Sequence, residues 1–514
     1  GVALGLCLPK TAWPPTFRLV SLLLLGAVTA GCFACGNASE NNDSTQVATT
    51  ETSTETTSEL DGRLAVDDEL PDEDFEERTF TMLTYDQVKT DLWAESLDGD
   101  VINDAVYERN ETVAERFNVT IDVQSNATYS ETTSMIQQTV MAGDDAYQLI
   151  AHHVVALGGI VMQDLFMNWY DIPYIDFSKP WWSPSTTEDL TYGDDKALIA
   201  VGDLALSSLA ATYCYFYDKP AAETYKLDDL YEVVRDGKWT IDYILNTTKD
   251  IYQDLNGNSE RDGDDYYGMT QQLKSALNAY LWSFGGKVME KNSEGIPELV
   301  FKNERTNTIV EKLYQFCYES EGVCTQRNFD QSMASTGEDI VHSIHALSFR
   351  DNLTLMTAGT LDMTINYFRD KETEYGILPY PKLDEEQDEY YTMVDGYHAA
   401  LAIPKSVQDY EFVGIITEAL NAESYKTVFP EYYEVALKTK YTYDNESVQM
   451  LDMIVDSRVF DFGYVYDAFK GMSFYFQYLV GDNKRGDFES YYATNSTASI
   501  EYYNDLLEYF EEME

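Results

Sequence analysis

Apolar and polar positions alternate in short blocks from residue 78 onward, and the period of the pattern changes from block to block. The run 79–85, TFTMLTY, predicts a strand, and the next segment, 101–117, carries Ile102, Val106, Val113 and Phe117 at helical spacing. A second strand is predicted at 119–123, a helix near 131–142 and a third strand at 147–155. Such alternation of strand and helix predicts the start of a parallel α/β sheet.

The pattern resumes further along the chain. Helices are predicted over much of 221–320 and 406–514, one of them beginning at Thr240, a good N-cap, and another running near 305–320. Further strands are predicted at 197–204, 212–218, 364–368, 375–381 and 399–405. The fold class expected from the whole pattern is α/β.

The N-terminal stretch predicts export. Lys10 and Arg18 precede the apolar run LVSLLLLGAVTA, residues 19–30, which has signal-peptide length and is too short to span a bilayer comfortably. The small residues that end in Gly31-Cys32 resemble the bacterial lipoprotein signal, in which the cysteine is lipidated. We therefore predict a signal peptide at 1–31 and a lipidated Cys32, with a plain secretory signal as the alternative. Residues 32–77 are rich in Ser, Thr, Asn and acids, so a disordered tether is expected.

Charge narrows the range of partners. Lys plus Arg number 34 against 90 Asp plus Glu, a formal net charge of −56, which repels nucleic acid and anionic membranes and favours a neutral or cationic ligand. The chain also holds 40 tyrosines, whose apolar faces and hydroxyl tips suit polar, ring-shaped ligands. Both the acidic excess and the tyrosine excess have an alternative explanation, namely a well-hydrated surface that keeps the protein in solution.

The cysteines give no metal pattern. Cys214 lies in an apolar run and is expected to be a buried thiol, while Cys317 and Cys324 are close enough in sequence to form a small disulfide outside the cell. No Cys-x-x-Cys pair or Cys/His cluster indicates zinc.

A different metal is indicated by DLNGNSERDGDD, residues 254–265. Its oxygen-bearing side chains occupy positions 1, 3, 5, 9 and 12, the ligand spacing of a calcium loop: Asp254, Asn256, Asn258, Asp262 and Asp265. Ser259 stands where such loops usually have glycine. A structural Ca²⁺ is expected, and an acidic turn without metal is the alternative.

Several stretches resemble one known family. They are GDVINDAVYERN (99–110), AYQLIAHH (146–153), SKPWW (178–182), FYDKP (216–220), GKWT (237–240) and MVDGYHAALAIPKS (393–406). Together with the export signal they resemble the extracellular solute-binding proteins of ABC importers, of the maltose-binding-protein-like, lipoprotein type found in Gram-positive bacteria.

The resemblance implies a two-lobed fold of the periplasmic-binding-protein type, joined by a hinge of about three crossing segments. By analogy, the first lobe takes 78–200 with a return segment at about 345–400, and the second takes 201–344 with 401–514. It also implies a monomer on the outer face of the cell membrane, held there by its lipid alone. It would capture a neutral carbohydrate, expected to be an oligosaccharide, for a permease pair and a cytoplasmic ATPase.

Candidate ligand-binding residues are chosen by residue type and position. Trp181 and Trp182 offer rigid ring faces for sugars, although adjacent residues on extended chain point opposite ways. His153 is assigned a hydrogen-bonding role in the core or the cleft.

The other candidates follow predicted strands or lie where the chain would cross between lobes. Asp86 is also a candidate helix N-cap, and Arg350 could equally form a structural ion pair. The full set is Tyr85, Asp86, Trp93, Arg350, Asp395 and Tyr397.

Enzyme signatures are missing from the sequence, including Gly-x-Ser-x-Gly, a phosphate loop and His-Glu-x-x-His. A binding protein without catalytic residues is therefore predicted. The alternatives are a secreted or surface glycoside-active enzyme, which would need two carboxylates at fixed separation, and a surface adhesion module.

Overall fold

The predicted alternation of strand and helix does form a sheet. The computed structural model describes residues 62–325, 340–433, 437 and 445–513, with only the backbone of 340–344. Strands β1 (Arg78–Tyr85), β2 (Val119–Asn126) and β3 (Leu149–His153) are parallel, and β1 lies between the other two. Six of the eight β1 residues are buried, whereas buried and exposed positions alternate over much of the edge strand β2.

A strand from much later in the chain completes this first sheet. Residues Ala399–Ala402 form β13, which pairs antiparallel with β3 and gives the order β2-β1-β3-β13. Asp100 caps the helix Val101–Phe117 by accepting hydrogen bonds from the backbone N–H groups of Ile102 and Asn103. That helix packs against Tyr410–Glu423, and the two cover one face of the sheet.

The opposite face is covered by the helix Tyr129–Met141. It begins with a capping box, in which the Thr128 side chain accepts from the Glu131 N–H and the Glu131 side chain accepts from the Thr128 N–H. Ile136 faces the core from this helix, and its N-terminus lies beyond the end of β2.

A second sheet has mixed strand directions. Its order is β11 (Tyr375–Leu378), β4 (Tyr213–Asp218), β10 (Thr354–Thr360), β6 (Tyr266–Gln271) and β5 (Tyr252–Gln253), and β9 (Val323–Thr325) also pairs with β6. β6, β9 and β10 are parallel, and the other pairings in this sheet are antiparallel. Two small two-stranded sheets, β12-β14 and β7-β8, complete the pairing within the described residues.

The remaining strands are β4 (Tyr213–Asp218), β5 (Tyr252–Gln253), β6 (Tyr266–Gln271), β7 (Met289–Lys291), β8 (Pro297–Leu299), β9 (Val323–Thr325), β10 (Thr354–Thr360), β11 (Tyr375–Leu378), β12 (Thr392–Met393), β13 (Ala399–Ala402) and β14 (Arg458–Val459). The α-helices are α1 (Lys89–Leu92), α2 (Val101–Phe117), α3 (Tyr129–Met141), α4 (Val154–Gly158), α5 (Pro184–Glu188), α6 (Ser207–Ala210), α7 (Lys219–Tyr225), α8 (Leu230–Arg235), α9 (Ile241–Thr248), α10 (Ser275–Ser283), α11 (Glu304–Tyr314), α12 (Ile340–Arg350), α13 (Met363–Asn366), α14 (Tyr410–Glu423), α15 (Asn445–Asp456), α16 (Phe462–Val465) and α17 (Phe488–Glu512).

The predicted α/β class is confirmed, but three strand assignments were wrong. The run 197–204 was predicted as a strand, yet it forms only isolated bridges, between Ala200 and Leu401 and between Gly202 and Trp182. The run 364–368 was predicted as a strand, and its first part lies in the short helix α13. The stretch TLMTAGT was not predicted, yet it forms the fully buried strand β10. The predicted helix start at Thr240 is confirmed, since the Thr240 hydroxyl accepts from the Tyr243 N–H at 3.2 Å.

The predicted lobe boundaries also need correction. β10 and β11, placed by analogy in the return segment 345–400, belong to the second sheet with β4 and β6. Only β13, at the end of that segment, joins the first sheet. α14, assigned to the second lobe, packs against the first-sheet helix α2.

Two chain segments pass side by side between the sheets. Residues 207–213 lead from the first sheet into β4, and residues 394–399 lead back into β13. They are joined where Thr212 bridges Val394 and where the Asp395 N–H donates to the Ala211 carbonyl at 2.9 Å. We call these two segments the crossing strands.

Some predictions fall outside the described residues, namely the signal peptide 1–31, Cys32 and the tether up to residue 61. The predicted tether also included residues 62–77, and there the prediction of disorder was wrong, because Phe75 packs on Phe412 with ring centroids 4.8 Å apart and Asp68 pairs with Arg116. Within the described part of the chain, no helix is long and apolar enough to cross a membrane. Cys214, Cys317 and Cys324 are all buried free thiols, so the disulfide considered for Cys317 and Cys324 is not formed.

Candidate functional site

Side chains gather at the edge where the parallel strands of the first sheet end. β1 ends at Tyr85 and β3 at His153, and ligands of open α/β sheets lie beyond these carboxyl ends. Tyr85 is buried, and its hydroxyl donates to the Tyr397 carbonyl on a crossing strand. The two strand ends are thus tied to the place where the chain passes between the sheets.

Asp395 is a central acceptor at the crossing strands. The Tyr213 hydroxyl donates to Asp395 Oδ2 at 2.6 Å, and the Tyr397 N–H donates to Oδ1 at 3.1 Å. Tyr213 also lies 2.8 Å from Ser275 Oγ at the start of α10. Because residues from both sheets meet at this carboxylate, its position depends on how the sheets are arranged.

A second carboxylate lies nearby. The Tyr397 hydroxyl donates to Asp362 Oδ2 at 3.0 Å, and the Thr360 hydroxyl donates to Asp362 Oδ1 at 2.6 Å. Burial raises the pKa of Asp362, although these hydroxyl donors oppose the rise. Burial, with the Asp395 charge, also raises the pKa of Tyr213 well above its ordinary value, so this phenol stays a donor.

Three rings pack together next to these polar groups. The His153 ring lies 4.9 Å from the Tyr129 ring and 5.4 Å from the Phe469 ring, measured between centroids. Tyr129 is 41% exposed and Phe469 is 38% exposed, so both keep accessible surface. We call Tyr129, His153 and Phe469 the aromatic cluster. Rings with an exposed face can cover the C–H face of a sugar.

His153 is uncharged in this cluster. Burial lowers its pKa well below the ordinary value, and the neighbouring His152 and His398 lower it further. Its Nδ1 accepts from the Ala156 N–H at 3.4 Å. His153 therefore supplies a neutral ring wall, in keeping with its predicted core or cleft role.

The segment that carries Phe469 has an unusual backbone. Ala468 and Phe469 have φ angles of 59° and 56°, a left-handed conformation that non-glycine residues rarely adopt. Asp467, next to them, accepts from the N–H groups of Gly471 at 2.8 Å and Ser473 at 3.2 Å. Strained backbone of this kind persists only where its surroundings fix it, and it concentrates at functional sites.

Both predicted ring platforms, Trp181 and Trp182, are buried, with 0% and 2% exposure. Their indole N–H groups donate to the two carboxylate oxygens of Glu418, at 2.8 and 2.9 Å. Neither indole presents a face to a ligand, so the predicted stacking role is wrong for both. Their role is to satisfy a buried carboxylate in the core of the first sheet.

The other predicted residues divide between the site and its surroundings. Tyr85, His153, Asp395 and Tyr397 come together as described. Asp86 is exposed and accepts from Ser125 at 2.6 Å, and it lies inside a short 3₁₀ turn rather than capping a helix. Arg350 pairs with its neighbour Asp351 at 2.8 Å, which is the structural ion pair considered from sequence. Trp93 packs against the first-sheet core.

Four site residues were missed from the sequence: Tyr129, Tyr213, Asp362 and Phe469. Tyr213 and Tyr129 belong to the tyrosine excess, which gave a general signal without positions. Phe469 and Asp362 carry no local signal, because their roles depend on contacts across the fold.

The predicted calcium loop is folded around its own polar groups. Asp254 accepts from the N–H groups of Gly257 at 2.6 Å and Ser259 at 2.9 Å, and Asp262 accepts from the Asn258 amide at 2.7 Å. Asp265 is buried and accepts from the Tyr252 hydroxyl at 3.0 Å. Over the described ranges, no group of three or more His, Cys, Asp or Glu side chains is arranged to hold a metal ion. The side chains would need to turn towards one point to bind Ca²⁺.

Comparisons with known proteins give structural neighbours only. No family model matches the chain, and no curated protein matches it. Maltose-bound MalE3 of T. maritima is 11% identical with a TM-score of 0.49, covering 84% of this chain and 99% of that one. An ABC substrate-binding protein of Listeria monocytogenes in complex with cycloalternan is 11% identical with a TM-score of 0.49, covering 80% of this chain and 95% of that one.

A further neighbour is the GacH receptor of Streptomyces glaucescens, solved without ligand and with acarbose. It is 12% identical with a TM-score of 0.46, covering 76% of this chain and 89% of that one. These solved structures are of the kind that the sequence resembles. Similarity at this level assigns no ligand, so the function rests on the residues of this chain.

Proposed function

We propose that this protein is the lipid-anchored, substrate-binding subunit of an ABC importer and captures a neutral carbohydrate, an oligosaccharide, outside the cell. The observation that carries the proposal is the aromatic cluster, with two partly exposed rings beside the hydroxyl and carboxylate groups of the crossing strands. Rings for sugar faces next to acceptors for sugar hydroxyls are the combination that a saccharide needs.

A neutral ligand fits the charge of the site. Two carboxyl groups, Asp362 and Asp395, lie at the crossing strands, and the chain as a whole carries a formal charge of −56. Desolvating a ligand anion beside these carboxylates would be unfavourable. Sugar hydroxyls, in contrast, can donate to carboxylates and accept from phenols.

Binding without turnover is supported by the partners of the two carboxylates. Asp362 accepts a hydrogen bond from the Tyr397 hydroxyl and Asp395 accepts one from the Tyr213 hydroxyl. Burial raises the pKa of both phenols well above the ordinary value, so each phenol stays a hydrogen-bond donor and does not act as a base. The alternative, a glycoside-active enzyme, needs one carboxyl to donate a proton and another to act as base or nucleophile. Incubation with oligosaccharides separates the two, since release of products would overturn the transport role.

The decisive experiment measures carbohydrate affinity. A thermal-shift screen over neutral oligosaccharides finds the ligand, because binding to the folded state raises the melting temperature. Phe469→Ala and Tyr129→Ala should then each weaken binding by roughly 10- to 100-fold in calorimetry, the range for a buried aromatic contact. Tyr174→Ala is the matched control, since Tyr174 is 43% exposed and lies outside the cluster. Wild-type affinity in both cluster variants would refute the site.

The remaining parts of the proposal come from the sequence. Export and anchoring rest on the lipoprotein-type signal that ends at Cys32, and the permease and ATPase partners follow from the importer role. Cys32→Ala should release the protein into the medium or leave it unprocessed. We also propose that the loop 254–265 binds Ca²⁺ as a structural ion.

A further inference from the structure

The Tyr464 side chain lies between the aromatic cluster and the crossing strand 394–399. It comes from α16, and its ring lies 5.9 Å from the Phe474 ring, which in turn lies 5.3 Å from the Phe469 ring, measured between centroids. At its other end, the Tyr464 hydroxyl oxygen would lie only 2.6 Å from a Cβ built on Gly396, the residue after Asp395. Contacts with a Cβ are essentially never that short, so glycine at 396 leaves room for this hydroxyl.

The Tyr464 hydroxyl is a hydrogen-bond donor that the protein leaves unused. Burial raises the pKa of Tyr464 well above its ordinary value, and the charge of Asp395 raises it further, so the phenol keeps its proton. The Gly396 N–H opposes the rise, because it is directed at the phenol oxygen. Within the part of the chain that the structure describes, no group accepts a hydrogen bond from the Tyr464 hydroxyl, and this hydroxyl is not fully enclosed.

His153 offers a second unused donor beside the same glycine. Its ring is neutral and its Nδ1 accepts from the Ala156 N–H, so the ring proton is on Nε2. The Cε1 atom, which is bonded to Nε2, would lie 3.4 Å from a Cβ built on Gly396. Among the described residues no group accepts from Nε2, and this atom is not fully enclosed either. Two donors without acceptors therefore meet beside one residue of the crossing strand.

The other polar groups of the site accept hydrogen bonds or have already donated theirs. Asp362 and Asp395 are acceptors, and the hydroxyls of Tyr85, Tyr213 and Tyr397 each donate to a protein oxygen. A sugar hydroxyl can bind to a carboxylate, because it donates as well as accepts. The ether oxygens in the rings and linkages of a saccharide only accept, so they need a protein donor.

We propose that Tyr464 and His153 form a donor pair that binds an ether oxygen of the saccharide. This inference rests on the proposed carbohydrate function and adds to it one ligand-binding residue, Tyr464, and one ligand-binding atom, His153 Nε2. The carboxylates would select for sugar hydroxyls, and the donor pair would select for an oxygen that carries no proton. A few polar groups placed in this way fix the orientation of a ligand that ring faces alone would leave free to slide.

The test uses calorimetry on the full folded chain, with maltotriose and cellotriose as neutral trisaccharide probes. Tyr464→Phe keeps the ring and removes only the hydroxyl, so it should weaken binding by roughly 3- to 10-fold, the effect of losing one neutral hydrogen bond. Tyr174→Phe is the matched control, because Tyr174 is exposed and lies outside the aromatic cluster. Unchanged binding in Tyr464→Phe would overturn the inference and leave the carbohydrate function standing. No saturable binding of either trisaccharide to wild type would overturn that function.

Variants of His153 and sulfur analogues of the probes test the donor pair itself. His153→Gln places an amide nitrogen near the position of Nε2, whereas the amide of His153→Asn ends near Nδ1, so His153→Gln should bind the trisaccharides more tightly. Sulfur accepts hydrogen bonds weakly, so an analogue with sulfur at the linkage or ring oxygens should bind wild type more weakly than its parent, and Tyr464→Phe should remove that difference. Equal binding by the two His153 variants would overturn the role of Nε2. A difference between analogue and parent that persists in Tyr464→Phe would overturn recognition of an ether oxygen.

Discussion

At the scale of single residues, Glu418 explains why the two tryptophans are adjacent. It lies on α14 with no exposed surface and accepts both indole N–H groups. Burial raises the pKa of Glu418 from 4.5 to about 7, although the indole donors oppose the rise. The folded state therefore takes up a proton at higher pH than the unfolded chain does.

This pKa predicts a pH-dependent stability. A carboxyl whose folded pKa is raised costs stability progressively as pH rises from about 4.5 to about 7. Glu418→Gln removes that titration, so between pH 4.5 and pH 8 the variant should become more stable relative to wild type, by about 3 kcal/mol in the free energy of unfolding. Urea unfolding measures both proteins, with Glu411→Gln, an exposed acid on α14, as the control. Parallel pH curves for wild type and Glu418→Gln would contradict the prediction.

The tryptophans also show the limit of sequence reasoning at this scale. The pattern SKPWW predicts that at least one indole faces a ligand, because adjacent side chains on extended chain point opposite ways. Glu418 lies more than 200 residues away and turns both indoles into donors to one carboxylate. The positions of Tyr85, Asp395 and Tyr397 were easier to predict, because Tyr85 ends a predicted strand and the family resemblance implies a crossing at the other two.

At the scale of elements, hydrogen bonds to Asp467 fix the backbone of the segment 467–473 and with it the position of the Phe469 ring. Asp467 is buried and accepts from two backbone N–H groups and from the Tyr503 hydroxyl at 2.8 Å. Asp467→Asn replaces one acceptor oxygen with a donor, so the turn should relax and Phe469 should move from His153.

We expect Asp467→Asn to weaken carbohydrate binding through Phe469 alone. In the wild-type background the loss should approach that of Phe469→Ala, and in the Phe469→Ala background the further loss should be less than about twofold. Calorimetry on wild type, the two single variants and the double variant gives the coupling free energy between Asp467 and Phe469. Additive losses would show that Asp467 acts through other contacts.

The loop 254–265 gives a prediction of its own. If it binds Ca²⁺ in the folded state only, stability should rise by about 2.7 kcal/mol at 100 times the dissociation constant, and extracellular calcium sites often bind at roughly 10⁻⁴–10⁻³ M. The melting temperature should be higher in millimolar calcium than in chelator, and Asp262→Asn should abolish the difference. Asp262 is the better choice than Asp265, whose buried hydrogen bonds matter without metal. An unchanged melting temperature would identify an acidic turn.

Elements could be predicted where caps and periodicity agree, as for α2 and for the helix after Thr240. They could not be predicted where a short apolar run fits either structure. TLMTAGT contains small residues that weaken its strand signal, yet β4 and β6 enclose it on both sides as β10. Pairing with neighbouring strands determines the structure of this segment, and the local sequence does not reveal those partners.

At the scale of the whole molecule, the order of elements predicted the α/β class and the family resemblance implied the crossing segments, but neither predicted which strand joins which sheet. β13 joins the first sheet after nearly 200 residues that build the second, and only its antiparallel pairing with β3 reveals this. The lobe boundaries taken by analogy with the family therefore assigned β10 and β11 to the first lobe, although both strands belong to the second sheet. Formal charge, in contrast, is fully determined by the sequence.

That charge leads to a prediction about ligand choice. A field from −56 charges reaches roughly 30 Å at 10 mM salt and about 8 Å at 150 mM, so low salt exposes an approaching anion to much more repulsion. A neutral oligosaccharide should bind equally well at both salt concentrations, within about twofold, whereas its uronic-acid analogue should bind more tightly at 150 mM than at 10 mM. Calorimetry at the two concentrations measures both ligands. A strong salt dependence for the neutral sugar would contradict recognition of an uncharged ligand through ring faces and hydrogen bonds to Asp362 and Asp395.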